Sequence, residues 1–242
     1  MDIQYKLLEW DSSFFGFRIA LINNKINNLD ELNNILKSMK KDGVKLAYYF
    51  SNQINHNSQD IRKHKKEAFI DSRIKYIHNL DSNEERLELK HFNNVRLFKH
   101  KIPSKELISL AIESSYYSRF RRDKNFSNTL SDKLFSQWIS NSVSNNSEDE
   151  VFIHREEDQI LGFISTKTND QSLTISLLAV SNKYRRKGIG NSLVSLVKDQ
   201  AFKRNKKKVI VCTQNKNTPA NTLYKSLGFT KYSEEDIYHF WL

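Results

Sequence analysis

Residues 172 to 203 read SLTISLLAVSNKYRRKGIGNSLVSLVKDQAFK, and the order inside this stretch restricts the fold more than any other feature of the chain. An apolar run with strand character is followed by a basic turn, and then by Ile189, Leu193, Leu196, Val197 and Ala201 at helical spacing. The whole sequence holds only 6 glycines, yet Gly188 and Gly190 stand on either side of Ile189 at this joint. A glycine inside a helix costs roughly 1 kcal/mol against alanine, so the pair calls for a special backbone geometry or a close approach. The order strand, basic glycine turn, helix puts uncapped N–H groups and the positive end of a helix dipole at one point, where an anion can sit. Arg185, Arg186 and Lys187 add charge there, and Asn191 and Ser192 offer small polar side chains to phosphate oxygens. The stretch is neither a P-loop, since no GK[ST] follows at the required distance, nor a dinucleotide fingerprint, since Leu193 stands where the third glycine belongs.

The flanking sequence supplies a sheet for this joint. VFIHRE (151 to 156), ILGFISTKT (160 to 168) and SLTISLLAV (172 to 180) read as an antiparallel meander. Downstream, KKVIVCT reads as a strand, TPANTLYKSLGF as a helix ended by Gly228, and DIYHFWL as a closing strand. The single cysteine, Cys212, lies within VIVC and is expected to be a buried thiol.

The first hundred residues read as a separate small α/β region. FFGFRIALI (14 to 22) and VKLAYYF (44 to 50) have strand character. Between them Asp30 is expected to cap a helix that shows Leu32, Ile35, Leu36 and Met39 on one face and stops at Gly43. FIDSRIKYIH (69 to 78), ERLELK and VRLFKH (within 85 to 100) continue as strands. Pro103 then opens a helix, which sets domain limits of 1–102 and 103–242. SRFRRDKNF (118 to 126) reads as a charged loop, and Leu134, Phe135, Trp138, Ile139 and Val143 as the apolar face of a further helix. SNSVSNNSEDE (140 to 150) reads as an exposed loop.

A formal charge of +11 favours an anionic partner: a nucleic acid, a membrane surface or a phosphorylated small molecule. No apolar run reaches the roughly 18 residues of a membrane helix, and MDIQYKLLEW lacks the layout of a signal peptide, so a cytoplasmic protein is expected.

The pattern R-x-x-G-x-G after a strand ending in LLAV resembles the pyrophosphate-binding motif of the GNAT superfamily of acyl-CoA N-acyltransferases. KKVIVCTQ, then Asn217 and Asn221, then LYKSLGF fall where that family has its next elements. The resemblance implies an α/β (α+β) GNAT fold, a mixed, mostly antiparallel sheet flanked by helices, with a smaller N-terminal α/β domain. It implies acetyl-CoA as cosubstrate and no metal. The contacts implied are Leu178, Ala179 and Val180 on a splayed strand, Arg185 to Ser192 (including Lys187, Gly188, Ile189, Gly190 and Asn191) in the turn, and Asn217 and Asn221 beyond it. Tyr224 is implied as the general acid that protonates the leaving thiolate.

WDSSFFGFRIA (10 to 20), SRFRRDKNF and FSQWISNSV (135 to 143) further resemble bacterial enzymes that N-acetylate dTDP-4-amino-4,6-dideoxygalactose. That likeness implies a nucleotide-sugar acceptor, a place in surface polysaccharide biosynthesis, and acceptor contacts from Arg119, Arg121 and Arg122. It makes a homodimer plausible and leaves the oligomeric state open. Two alternatives stand beside it: a GNAT enzyme for another amine (a UDP-aminosugar, a small amine or a protein N-terminus), and a nucleic-acid-binding module using KRNKKK (203 to 208), which is disfavoured. SLTISLLAV carries no carboxylate, so no general base is assigned, although His154, Glu156 and Glu157 lie on the preceding hairpin.

Overall fold

The computed structural model describes residues 4–23, 26–52, 56–80, 94–144 and 147–242. The chain divides into two compact units, Met1–Ile74 with Ser233–Leu242, and Lys75–Tyr232. The division expected at 102/103 therefore falls inside the second unit, and the last ten residues return to the first.

The first unit holds β1 (Tyr5–Leu7), α1 (Glu9–Phe15), β2 (Ile19–Ile22), α2 (Leu29–Lys41), β3 (Leu46–Asn52), α3 (His56–His64) and the start of β4 (Phe69–Asn79). β1 and β2 are antiparallel, β2 and β3 parallel, and Glu235–Trp241 runs antiparallel to β3. Leu32, Ile35, Leu36 and Met39 of α2 are buried, as their spacing predicts, and pack with Ala20, Ala47, Tyr49 and Tyr238. The cap differs from expectation. Asn28, rather than Asp30, accepts the Glu31 N–H at 2.8 Å, and Glu31 reaches back to the Asn27 N–H. The strand expected over 14 to 22 begins only at Ile19, because WDSSFF belongs to α1 and Gly16, at φ 77°, closes that helix in the left-handed conformation. The expected strand ERLELK lies outside the described residues.

The second unit continues through β5 (Val95–Leu97), α4 (Lys105–Ser114), α5 (Arg119–Arg122), α6 (Asn128–Val143), β6 (Glu150–Glu156), β7 (Gln159–Thr168), β8 (Ser172–Val180), α7 (Ile189–Lys203), β9 (Lys208–Gln214), α8 (Thr218–Ser226) and the start of β10 (Thr230–Trp241). β5, β6, β7 and β8 form an antiparallel meander, and β9 adds to β8 in parallel. The sheet is mixed and mostly antiparallel, as expected. α4 and α6 cover one face through Leu107, Leu110, Ala111, Ile139 and Val143. α7 covers the other, burying Ile189, Leu193, Leu196, Val197 and Ala201.

Two local readings change here. SRFRRDKNF is not a loop throughout: Ser118 accepts the Arg121 N–H and caps the short helix α5. Residues 140 to 143, expected in a loop, form the last turn of α6.

Candidate active site

The joint between β8 and α7 has the geometry of a helix start that can receive an anion. Gly188 occupies the N-cap at φ 80°, ψ −2°, and no side chain caps the helix, so the first-turn N–H groups of α7 have no side-chain acceptor. Arg186 also takes a positive φ of 64°, a conformation that costs a residue with a Cβ on the order of 1 kcal/mol. Two left-handed residues within three curl the turn around its own N–H groups. The Arg185 Nε donates to the Val180 carbonyl at 3.1 Å and ties the turn to the end of β8, while Lys187 lies over the Tyr184 ring. Arg185, Arg186, Lys187 and Asn191 are exposed.

The two glycines of this turn have different reasons. A Cβ on Gly188 would meet nothing within 4 Å, so its role is conformational. A Cβ on Gly190 would stand 3.2 Å from Leu223 Cδ2, so its role is to let α7 and α8 pack closely. At Gly190 this packing stands beside the phosphate approach expected from the sequence for both glycines. Two neighbours also turn inward. Ile189 puts its side chain in the core, and the Ser192 hydroxyl donates to the Ile189 carbonyl at 2.9 Å.

Behind the turn, β8 separates from β9. Their pairing ends at Ile175 with Val211, although both strands run on. At the same level β8 carries a bulge. Ser165 pairs with Leu177 and Thr166 with Ile175, which leaves Ser176 as the extra residue. The expected distortion thus begins at Ser176, just before Leu178 to Val180. The N–H groups of Leu177 and Ser181 point to β7, at Ser165 Oγ and the Leu161 carbonyl. Because N–H direction alternates along a strand, those of Leu178 and Val180 point into the opened side.

Tyr224 is presented to this opening by α8. It is 4% exposed, and its ring lies 6.0 Å from that of Tyr76 and 5.7 Å from that of Phe229. Burial pushes its phenol far above the ordinary value of 10, and Cys212 adds to the rise. Cys212 is the residue directly after Val211, which places the phenol near the point where the strands part. The thiol itself is exposed, against expectation, because β9 alternates and buries Val209 and Val211 instead.

The two asparagines expected near a cofactor are committed within the protein. Asn217 caps α8 and donates to Thr213 Oγ1 at 3.1 Å. Asn221 is buried, donates to the Gln214 and Asn215 carbonyls and accepts from the Tyr76 hydroxyl at 3.1 Å. Their work is to fix the loop before α8, and through it the position of Tyr224. Gly228, at φ 79°, ends α8 as expected, with the Phe229 N–H returning to the Tyr224 carbonyl.

Arg121 is likewise tied down, to Asp132, Ser115 Oγ and the Asn128 carbonyl. Arg119 lies over the Phe120 ring, Arg122 is half-buried, and Phe120 and Phe126 fill the core. His154 lies beside the first turn of α7. It is buried beneath α7, with Nδ1 3.4 Å from Ser192 Oγ and Nε2 3.2 Å from Glu156. Glu157 is exposed at the hairpin tip with φ 49°. In the basic run, Lys203 pairs with Asp199 and Arg204 makes two bonds to Glu150, so these charges are balanced internally. Among the described residues no group of acidic, histidine or cysteine side chains could hold a metal, and no helix is long and apolar enough to cross a membrane.

The sequence reading missed Gly162, where a Cβ would stand 2.9 Å from the Ala179 carbonyl and 3.0 Å from Ile189 Cγ2. It also missed Ser165. A glycine inside an otherwise apolar strand was the available signal for the first; nothing in the sequence marks the second.

Residues 110–229 match the sequence model of the acetyltransferase (GNAT) family. The spore coat polysaccharide biosynthesis protein SpsD of Bacillus subtilis is 24% identical over 135 residues, which cover 56% of this chain and 46% of that protein. The chain thus spans less than half the length of this curated relative. A GCN5-related N-acetyltransferase from Sphaerobacter thermophilus shares the fold with a TM-score of 0.63 at 11% identity, over 98% of this chain and 75% of that one. A conserved protein of unknown function from Staphylococcus epidermidis superposes with a TM-score of 0.66 at 14% identity, over 93% of this chain and 84% of that one.

Proposed function

We propose that this chain, whose residues 110–229 belong to the GNAT acetyltransferase family, is an acetyl-CoA-dependent N-acetyltransferase whose acceptor is a nucleotide-activated 4-amino-4,6-dideoxyhexose. The observation that carries the reading is the convergence of three features: an uncapped, cation-flanked helix start, a sheet opened directly behind it, and a buried phenol at the opening. Acetyl-CoA, when bound, supplies a thioester as acetyl donor, and the residues present fit its parts. The first turn of α7 with Arg185, Arg186 and Lys187 would hold the pyrophosphate. The N–H groups of Leu178 and Val180 would receive the amide-bearing pantetheine arm and the thioester carbonyl, lowering the barrier to attack by an amine. Tyr224 keeps its proton throughout the neutral range and would deliver it to the departing sulfur, and the proton that the attacking nitrogen loses as the amide forms would return through solvent to the phenol.

The acceptor class is supported by the likeness to SpsD, whose name places that protein in polysaccharide biosynthesis, and by a net charge of +11 that suits two phosphorylated substrates. Arg119 and Arg122 enter the proposal as acceptor-side cations; Arg121 acts through its tie to Asp132. The test is mass spectrometry after incubation with acetyl-CoA and a panel of dTDP- and UDP-linked 4-amino-4,6-dideoxyhexoses. Addition of one acetyl group to a dTDP sugar, lost in Tyr224→Phe with CoA affinity retained, is the expected result. CoA binding with no product on any sugar would refute the acceptor assignment and leave the acetyltransferase reading standing.

A further inference from the structure

We infer that the Ser165 hydroxyl is the positioning group that holds β8 open beside β9; the inference rests on the acetyl-CoA reading above. Ser165 is fully buried on β7, the strand on the far side of β8 from the opening. Its Oγ accepts the Leu177 N–H at 3.1 Å. That N–H belongs to the residue that follows the extra Ser176, so the hydroxyl gives the bulged segment an acceptor on β7, and a buried N–H without an acceptor is strongly disfavoured. The hydroxyl therefore makes the bulged register the satisfied one. In the regular register Ser176 would stand opposite Ser165 in place of Leu177. A slip of one residue would then turn Leu177 to Val180 onto opposite faces and reverse which N–H groups look into the opening. Ala179, now packed in the core against α4, would be displaced by the same slip. Ser165 thus decides that the N–H groups of Leu178 and Val180, and not those of Leu177 and Ala179, meet the ligand. It would do so without touching the ligand itself.

The inference separates two halves of one binding site. The helix start should bind phosphates with or without Ser165, whereas the pantetheine arm needs the bulge. Calorimetric titrations of the full chain with coenzyme A and with adenosine 3′,5′-bisphosphate, which lacks the arm, distinguish them. In the wild-type protein coenzyme A should bind at least tenfold more tightly than the bisphosphate. Ser165→Ala should lose about tenfold for coenzyme A and nothing for the bisphosphate, and Ser165→Thr, which keeps the hydroxyl, should restore the loss. Amide exchange at Leu177 should quicken in Ser165→Ala and not in Ser165→Thr. Full coenzyme A affinity in Ser165→Ala would overturn the inference. So would an equal loss for both ligands, which would make Ser165 a general stabiliser. If wild-type protein bound no coenzyme A, the acetyl-CoA reading would fail on its own, and unchanged Leu177 exchange in Ser165→Ala would then decide against Ser165 separately.

Discussion

Replacing Gly162 by alanine tests the packing that seats α7 on the sheet. The added Cβ would stand 2.9 Å from the Ala179 carbonyl oxygen, 3.0 Å from Ile189 Cγ2 and 3.3 Å from Leu193 Cδ1. The nearest of these is backbone in a paired strand and cannot swing aside, so β8 or α7 must move. Overpacking of a filled core costs roughly 1–3 kcal/mol, and a clash against backbone belongs in the upper part of that range. At about 2–4 °C per kcal/mol for a chain of this size, the thermal midpoint should fall by roughly 4–12 °C. Because Ile189 is both the first residue of α7 and a direct neighbour of the new methyl, affinity for coenzyme A should fall in the same variant. Gly188→Ala is the control. It meets no atom within 4 Å and carries only its left-handed φ, so its cost should be about 1 kcal/mol. Differential scanning calorimetry on both variants decides. A Gly162→Ala midpoint within 1 °C of wild type, or a larger loss in Gly188→Ala, would refute the packing argument.

Other expectations follow from single residues. Cys212 is exposed, so native protein should react with one equivalent of Ellman's reagent without denaturant; a thiol revealed only on unfolding would contradict the structure. Asn221→Ala leaves the Tyr76 hydroxyl and two loop carbonyls without their partner and should cost about 2–3 kcal/mol in a urea titration, whereas a pure ligand contact would lower coenzyme A affinity and leave stability unchanged. Burial raises the phenols of Tyr49, Tyr224 and Tyr238 above 10. Since the folded values exceed the unfolded one, their stabilising contribution is complete below pH 10 and is lost as pH rises toward the folded values. Absorbance at 295 nm should therefore show these three ionising only with alkaline unfolding, and Tyr224→Phe should flatten the loss of stability above pH 10.

Regular periodicity carried much of the fold in the sequence. The buried faces of α2 and α7 follow from Leu32, Ile35, Leu36 and Met39, and from Ile189 to Ala201, because one helical face must leave water. The meander and the basic turn were legible for the same reason, since strand alternation and glycine placement are local properties. Where local preference and closure competed, the sequence misled: the aromatic residues of FFGF suggested a strand, but Gly16 ends a helix there. Cys212 looked buried because VIVC is apolar throughout, and only the pairing of β9 shows which alternate residues face inward.

The site divides along the same line. Arg185, Arg186, Lys187 and Gly188 lie in one short segment, and their charge and the turn they make could be read from adjacency alone. The partners that fix the opening come from positions far apart in the chain: Ser165 with Leu177, Gly162 with Ile189, Tyr76 with Asn221. A serine that accepts an N–H beside a bulge looks, in sequence, like any other serine in a strand. The bulge exists only once two strands have chosen a register, and the space that Gly162 leaves empty exists only once α7 has docked. Sequence determined the charge and the elements that meet at the start of α7; tertiary pairing decided which backbone groups face the opening behind it, because register is fixed only between strands.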